Sequence, residues 1–118
     1  MSFSKFAAKP TYVEGRRFAS KKEAKRFGEL KLLEKAGEIS NLELQPAFPF
    51  SIDGRPVLSR SKRYPNGRQL KMVADFRYTD TKNGLVVWED VKGFRTKEFI
   101  IKKAFFEAMM PGVRLVEV

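Results

Sequence analysis

The chain has 118 residues, enough for one domain with a buried core and too few for two. Lys and Arg number 24 against 14 Asp and Glu, a formal charge of 24 − 14 = +10, so the natural partner is a polyanion, with nucleic acid ahead of a membrane surface. Cys and His are both absent, which removes disulfides, thiol nucleophiles, Cys- or His-ligated zinc, the Ser-His-Asp triad and a His-activated water. An enzyme made from this chain works with carboxylates, lysine and a hard divalent ion such as Mg²⁺. No apolar run is long enough to span a bilayer and Met1 opens no signal-peptide pattern, so a soluble, cytoplasmic protein with no membrane partner is expected.

Residues 1–17, "MSFSKFAAKPTYVEGRR", have no sustained period and end in a basic pair; they read as a loose basic arm ahead of a single domain over 18–118. From Ser20, "SKKEAKRFGELKLLEKAG" turns helical, with Ser20 as N-cap, Glu23 at the capping-box position and Gly37 as the stop. Ala24, Phe27, Leu30 and Leu33 form the buried stripe. "ISNLELQPAFPF" reads as a first strand that Pro46 and Pro49 confine to an edge or an irregular course. The stretch 53–71 is Pro- and Gly-punctuated and carries Arg55, Arg60, Lys62, Arg63, Arg68 and Lys71, a long basic loop or hairpin suited to phosphates.

"LKMVADFRY" and "LVVWEDVKG" follow as two more strands, with Asn83-Gly84 placed as a two-residue type I′ turn. "TKEFIIKKAFFEAMM" is a second helix with Thr96 as N-cap, ended by Pro111-Gly112, and "VRLVEV" is a last strand. The order is helix, three-stranded antiparallel meander, helix, strand. The crossover makes the last pair parallel, hence a mixed sheet in an α/β or α+β protein.

"VVWEDVKG" places two adjacent acids and a lysine at the end of an apolar strand, where charge is costly. Alternation sets Asp90 and Lys92 on one face, roughly 7 Å apart, with Glu89 on the other. A two-residue turn puts Asp75 opposite Lys92 and on the face of Asp90, whereas a turn of odd length brings Asp75 to the face of Glu89. Side by side, Asp75 and Asp90 repel unless a cation lies between them. A divalent metal there would polarise a phosphoryl oxygen and activate water, with Lys92 as an electrostatic helper. An ordinary cross-strand ion pair is the bland reading.

At 100° per residue Glu23 sits in the middle of the apolar arc, so it faces the sheet, either as a plain capping glutamate or as a third metal-site or water-orienting acid. Gln45 could reach the same cluster or simply bond backbone. Lys102 is either a solvated lysine or a phosphate contact near the site.

The ordered set Glu23, Asp75, Asp90-Val91-Lys92 resembles the PD-(D/E)XK nuclease superfamily. More narrowly, "FASKKEAKRFGEL", "LELQPAFPF", "ADFRY", "WEDVKG" and "TKEFIIKKAFF" together resemble a family of small phage and prophage proteins named only as a domain of unknown function. The resemblance spans roughly residues 18 to 118. It implies a restriction-endonuclease-like core and Mg²⁺ or Mn²⁺ held by Asp75, Asp90 and the backbone carbonyl of Val91, with Lys92 assisting and Glu23 as the helical acid. Ala74 stands where the superfamily name has Pro. Small phage members of the superfamily resemble phage endonuclease I and cut branched DNA as dimers. The expectation is therefore a metal-dependent endonuclease for branched or double-stranded DNA, such as a Holliday junction, working as a homodimer. A basic nucleic-acid-binding protein with no catalysis is the competing reading.

Overall fold

The structure, a computed structural model, describes residues 11–91 and 95–118. Its elements are β1 (Thr11–Val13), β2 (Arg16–Phe18), α1 (Lys21–Lys35), β3 (Ile39–Leu44), β4 (Ala47–Pro49), β5 (Ser51–Ile52), β6 (Arg55–Pro56), β7 (Leu58–Ser59), β8 (Arg68–Gln69), β9 (Lys71–Val73), β10 (Phe76–Asp80), β11 (Val86–Asp90), α2 (Lys97–Met109) and β12 (Leu115–Glu117). The main sheet runs β12-β11-β10-β3, antiparallel except for the β11–β12 pair. The protein is thus a mixed α+β domain of two helices, one four-stranded mixed sheet and several small hairpins.

Both helices begin as their sequences dictate: Ser20 Oγ accepts from the Glu23 amide at 3.1 Å and Thr96 Oγ1 from the Phe99 amide at 3.0 Å. α1 lays Ala24, Phe27 and Leu30 over one face of the sheet, against Phe18, Ile39 and Phe76. α2 covers the other face, where Phe99 and Phe106 pack with Trp88, Met72, Ala74 and Leu115. Burying side chains of this size contributes on the order of 1.5–3 kcal/mol each, so these two layers dominate the stability.

Three expectations need correction. Residues 11–17 are not a loose arm: Thr11–Val13 and Arg16–Phe18 form a hairpin whose Glu14-Gly15 turn has positive φ at both positions, 52° and 77°, as a type I′ turn requires. Residues 1–10 lie outside the described residues. Of the loop and hairpin alternatives for the basic stretch, the loop is corrected: paired short strands, β5–β6 and β7–β8, form a ribbon rooted on the β4–β9 pair.

The β10–β11 connection is also longer than two residues, since the Asp80 amide donates to the Leu85 carbonyl and Thr81–Gly84 form the turn. Side chains cause this. Asp80 accepts from the Lys82 amide, Asn83 from the Leu85 amide, and the Thr81 hydroxyl meets the carbonyls of Gly37 and Glu38 beyond α1.

One feature of the sheet places the acids. Leu44 pairs with Phe76 and Ala47 with Val73, so β3–β4 and β9–β10 keep one register, joined by Gln45 N–H to Asp75 O (2.9 Å) and Ala74 N–H to Pro46 O (3.1 Å). Yet the ribbon breaks there. Gln45 adopts φ 52°, and Ala74 and Phe76, which would share a face in a regular strand, point into different cores. Asp75 lies at this break.

Candidate functional site

The register Phe76–Glu89, carried one step further, sets Asp75 across from Asp90 instead of Lys92. The four-residue turn changes the partner but preserves parity, so Asp75 still converges on Asp90 and not on Glu89. The Asp90 carboxyl lies close enough to act on the Asp75 carboxyl. Asp75 Oδ2 also accepts from the Val91 amide at 2.7 Å, and the Asp75 amide donates to the Glu89 carbonyl at 3.1 Å. Burial first, then the hydrogen bond and charge of Asp90, push the Asp75 carboxyl up to about 8; the Val91 amide works against the rise and the charge of Glu23 adds to it.

Glu23 is 7 % exposed and Asp90 2 %, so both face inward as their positions predict. Glu23, Gln45 and Asp75 line one cavity of about 380 Å³ together with Arg16 and Arg17 of the N-terminal hairpin. The Val91 amide is tied to Asp75; the Val91 carbonyl is the group that the resemblance implied for the metal. Lys92 and Gly93 lie outside the described residues. Lys102 pairs with Glu98 at 2.9 Å and faces a different cavity, between α2 and the basic ribbon. Arg63, Arg68 and Lys71 line that second cavity; Arg55, Arg60 and Lys62 do not.

The neighbouring acid has another task. Glu89 is fully buried on the α1 face, where Arg26 donates Nε–H to Oε1 at 2.5 Å and Nη2–H to Oε2 at 2.9 Å, while the Tyr78 hydroxyl donates to Oε2 at 2.7 Å. The Glu89 hydrogen bond holds the Arg26 guanidinium above its ordinary range, and burial, followed by that bond, pushes the Tyr78 phenol up to about 12. The "ED" pair therefore divides by face into a neutralised structural acid and an acid of the pair.

The sequence reading noted Arg16 and Arg17 only as the basic end of an arm, and missed Arg26 and Tyr78. The turn in "TYVEGRRF" was a visible signal for the first two. Nothing local marks Arg26 as a partner of a residue 63 positions away.

Among the described residues no cluster of three or more Asp and Glu is close enough to hold a metal ion. Two adjacent carboxylates still suit Mg²⁺, which takes one or two protein carboxylates and fills its remaining positions with water and phosphate oxygens. The raised Asp75 carboxyl fits the same group, because a bound cation offsets both the burial that mainly raises it and the Asp90 charge that adds to the rise.

These features define a mixed α+β protein in which a buried Asp90 and a half-buried Asp75 meet where the sheet breaks into a basic ribbon. More particularly, the chain belongs to the family described as "Protein of unknown function (DUF1064)", matched over residues 3–118. No curated protein and no solved structure matches it. No helix among the described residues is long and apolar enough to cross a membrane.

Proposed function

We propose that the protein is a metal-dependent DNA endonuclease of the PD-(D/E)XK type, acting on branched or double-stranded DNA. The observation that carries this reading is the convergence of Asp75 and Asp90 at the break in the sheet. A basic surface around them, in a chain of net charge +10, suits a polyanionic substrate.

Asp75 and Asp90 would hold Mg²⁺ or Mn²⁺, which when bound supplies Lewis acidity and a water of lowered pKa. The Val91 amide fixes the orientation of Asp75. Glu23 reaches the same cavity as Asp75 from the first turn of α1 and can accept a proton from a water placed there. Arg16 and Arg17, across that cavity, neutralise a phosphodiester and stabilise the charge that builds on it. Lys92, two residues beyond Asp90, takes the role of a further cation in this reading.

The test is cleavage of labelled duplex, single-stranded and four-way-junction DNA in Mg²⁺, Mn²⁺ or EDTA, with the native chain beside Asp90→Asn. Metal-dependent cutting that disappears in the variant is the expected result, and the junction arm reports the preferred shape. Binding without cutting under every metal, equal in both proteins, would replace this reading with that of a non-catalytic nucleic-acid-binding protein. A homodimer is part of the proposal for junctions, and sedimentation with and without junction DNA tests it.

A further inference from the structure

The larger cavity, about 820 Å³, lies between the basic ribbon and the start of α2. Its walls carry Arg63, Arg68 and Lys71 on the ribbon side and Lys102 on the helix side, over an apolar floor that includes Leu70 and Phe99. Among the described lining residues the one carboxylate is Glu98, which is paired with Lys102 at 2.9 Å. The cavity is therefore a slot for a polyanion with an apolar component, the chemistry of a polynucleotide strand whose bases are not paired.

Two details sharpen that chemistry. The guanidinium groups of Arg63 and Arg68 lie 5.6 and 4.9 Å from the ring centre of Tyr64, which itself lines the slot. The ring restrains two long side chains that would otherwise lose entropy on meeting phosphates, and offers aromatic and guanidinium planes for stacking. The tip is closed locally, with the Tyr64 amide donating to Ser61 Oγ at 3.1 Å and the Gly67 amide to the Tyr64 carbonyl at 2.9 Å, so the platform is held by its own turn.

Size decides between a single strand and a duplex. A slot of about 820 Å³ can enclose a short stretch of flexible strand, whereas a duplex, its bases stacked inside, could only lie across the mouth. Position links it to the acids. The slot is lined as far as Val73, the last residue of β9 and two residues before Asp75.

We infer that this slot binds the unpaired strand of a branched DNA, with Arg63, Arg68, Lys71 and Lys102 on its phosphates and Tyr64 beneath a base, and so directs cutting to the junction between single and double strand. This rests on the nuclease reading only for its last clause; the strand selectivity stands on the slot.

The experiment is fluorescence anisotropy of the full chain in EDTA with labelled single-stranded and duplex oligonucleotides across a salt series. It compares the native protein with Arg63→Gln/Arg68→Gln, with Tyr64→Ala, and with Lys35→Gln/Lys82→Gln, which makes the same charge change elsewhere. Thermal melts show that each variant is folded.

The Arg double variant should weaken single-strand binding about tenfold while duplex binding falls less than about threefold, and flatten the single-strand salt slope by about 1.4, twice the ~0.7 expected per phosphate contact. Tyr64→Ala should weaken single-strand binding with its salt slope unchanged. Equal losses on both DNAs, or a matching loss in the distal lysine variant, would overturn the slot in favour of diffuse charge. Failure of the native chain to bind single strands would also overturn it. If selectivity holds and no metal supports cutting, the slot stands and the nuclease reading falls; cutting without strand selectivity is the reverse.

Discussion

Arg26 grips both oxygens of Glu89 from α1, at 2.5 and 2.9 Å, on the face of β11 opposite to Asp90. Glu89 is fully buried, so removing its partner leaves an uncompensated charge in the core. Arg26→Ala should cost about 3–5 kcal/mol. Replacing both, as Arg26→Met/Glu89→Leu, should cost far less than the sum of the single changes, because the penalty lies in the orphaned charge. Urea unfolding in a double-mutant cycle measures this; additivity of the two changes would mean that the pair is not coupled.

Tyr78 completes that network through its hydroxyl, 2.7 Å from Glu89 Oε2. Tyr78→Phe keeps the ring and removes one hydrogen bond to a charged group, a loss of about 1.5–3 kcal/mol. Burial and the Glu89 bond push the phenol up to about 12, so its folded-state value exceeds that of the unfolded chain. The stability it contributes is then complete below the ordinary tyrosine range and is lost as pH rises through about 12. Phenolate absorbance followed against pH should show one tyrosine titrating late, and Tyr78→Phe should remove that step.

Asp75 gives a dependence at lower pH. With its folded-state carboxyl pushed up from 3.8 to about 8 in the metal-free protein, the native state holds a proton that the unfolded chain releases. The contribution of Asp75 to stability in EDTA should accordingly be complete below about 4 and be lost as pH rises through about 8. Asp75→Asn should flatten this slope. At pH 8, Mg²⁺ or Mn²⁺ should raise the melting temperature of the native chain and not of the variant. A native chain with no slope in EDTA would show that the two carboxyl groups are not in conflict.

The same conflict separates stability from activity at the other acid. Above about pH 8, where both acids are charged, Asp90→Asn removes one of two repelling charges and supplies an amide that can donate to Asp75. It should raise the melting temperature in EDTA, by ~4 °C for each kcal/mol gained in a domain of this size, while abolishing metal-dependent cutting. Glu89→Gln should do the reverse to stability. If Asp90→Asn melts lower than the native chain, Asp90 contributes to the fold in a way the pair does not describe.

These contrasts show which parts of the design a sequence carries. Caps and periodicity in "SKKEAKRFGEL" and "TKEFIIKK" are local, so both helices and the inward aim of Glu23 were legible. The order of the sheet followed from the turns between them. The turn at Thr81–Gly84 was misjudged because Thr81 is tied to the end of α1, a tertiary bond that outweighs the Asn-Gly preference. Parity survived that error, which is why Asp75 still met Asp90. The pairing of Arg26 with Glu89 was beyond reach, since it depends on which helix face covers which strand. The ribbon was left open between a loop and a hairpin because its two-residue strands are too short to alternate.

That ribbon has one position where backbone geometry can be tested without touching charge. Gly67 has φ 95°, and a Cβ added there would lie 2.9 Å from the Cβ of Leu58 on the paired strand. Gly67→Ala therefore meets both an unfavourable conformation and a clash, together costing about 1–3 kcal/mol. The cost falls on the β7–β8 ribbon, which packs little against the two cores, so global unfolding should shift less than the local opening of that ribbon. Hydrogen exchange should show faster exchange at the Leu70 amide, which bonds the Val57 carbonyl at 2.8 Å, with the Asp80 and Ala24 amides unchanged. Uniform acceleration across all three would mean that the ribbon and the sheet unfold as one unit, and that the slot cannot be altered without altering the carboxylate pair.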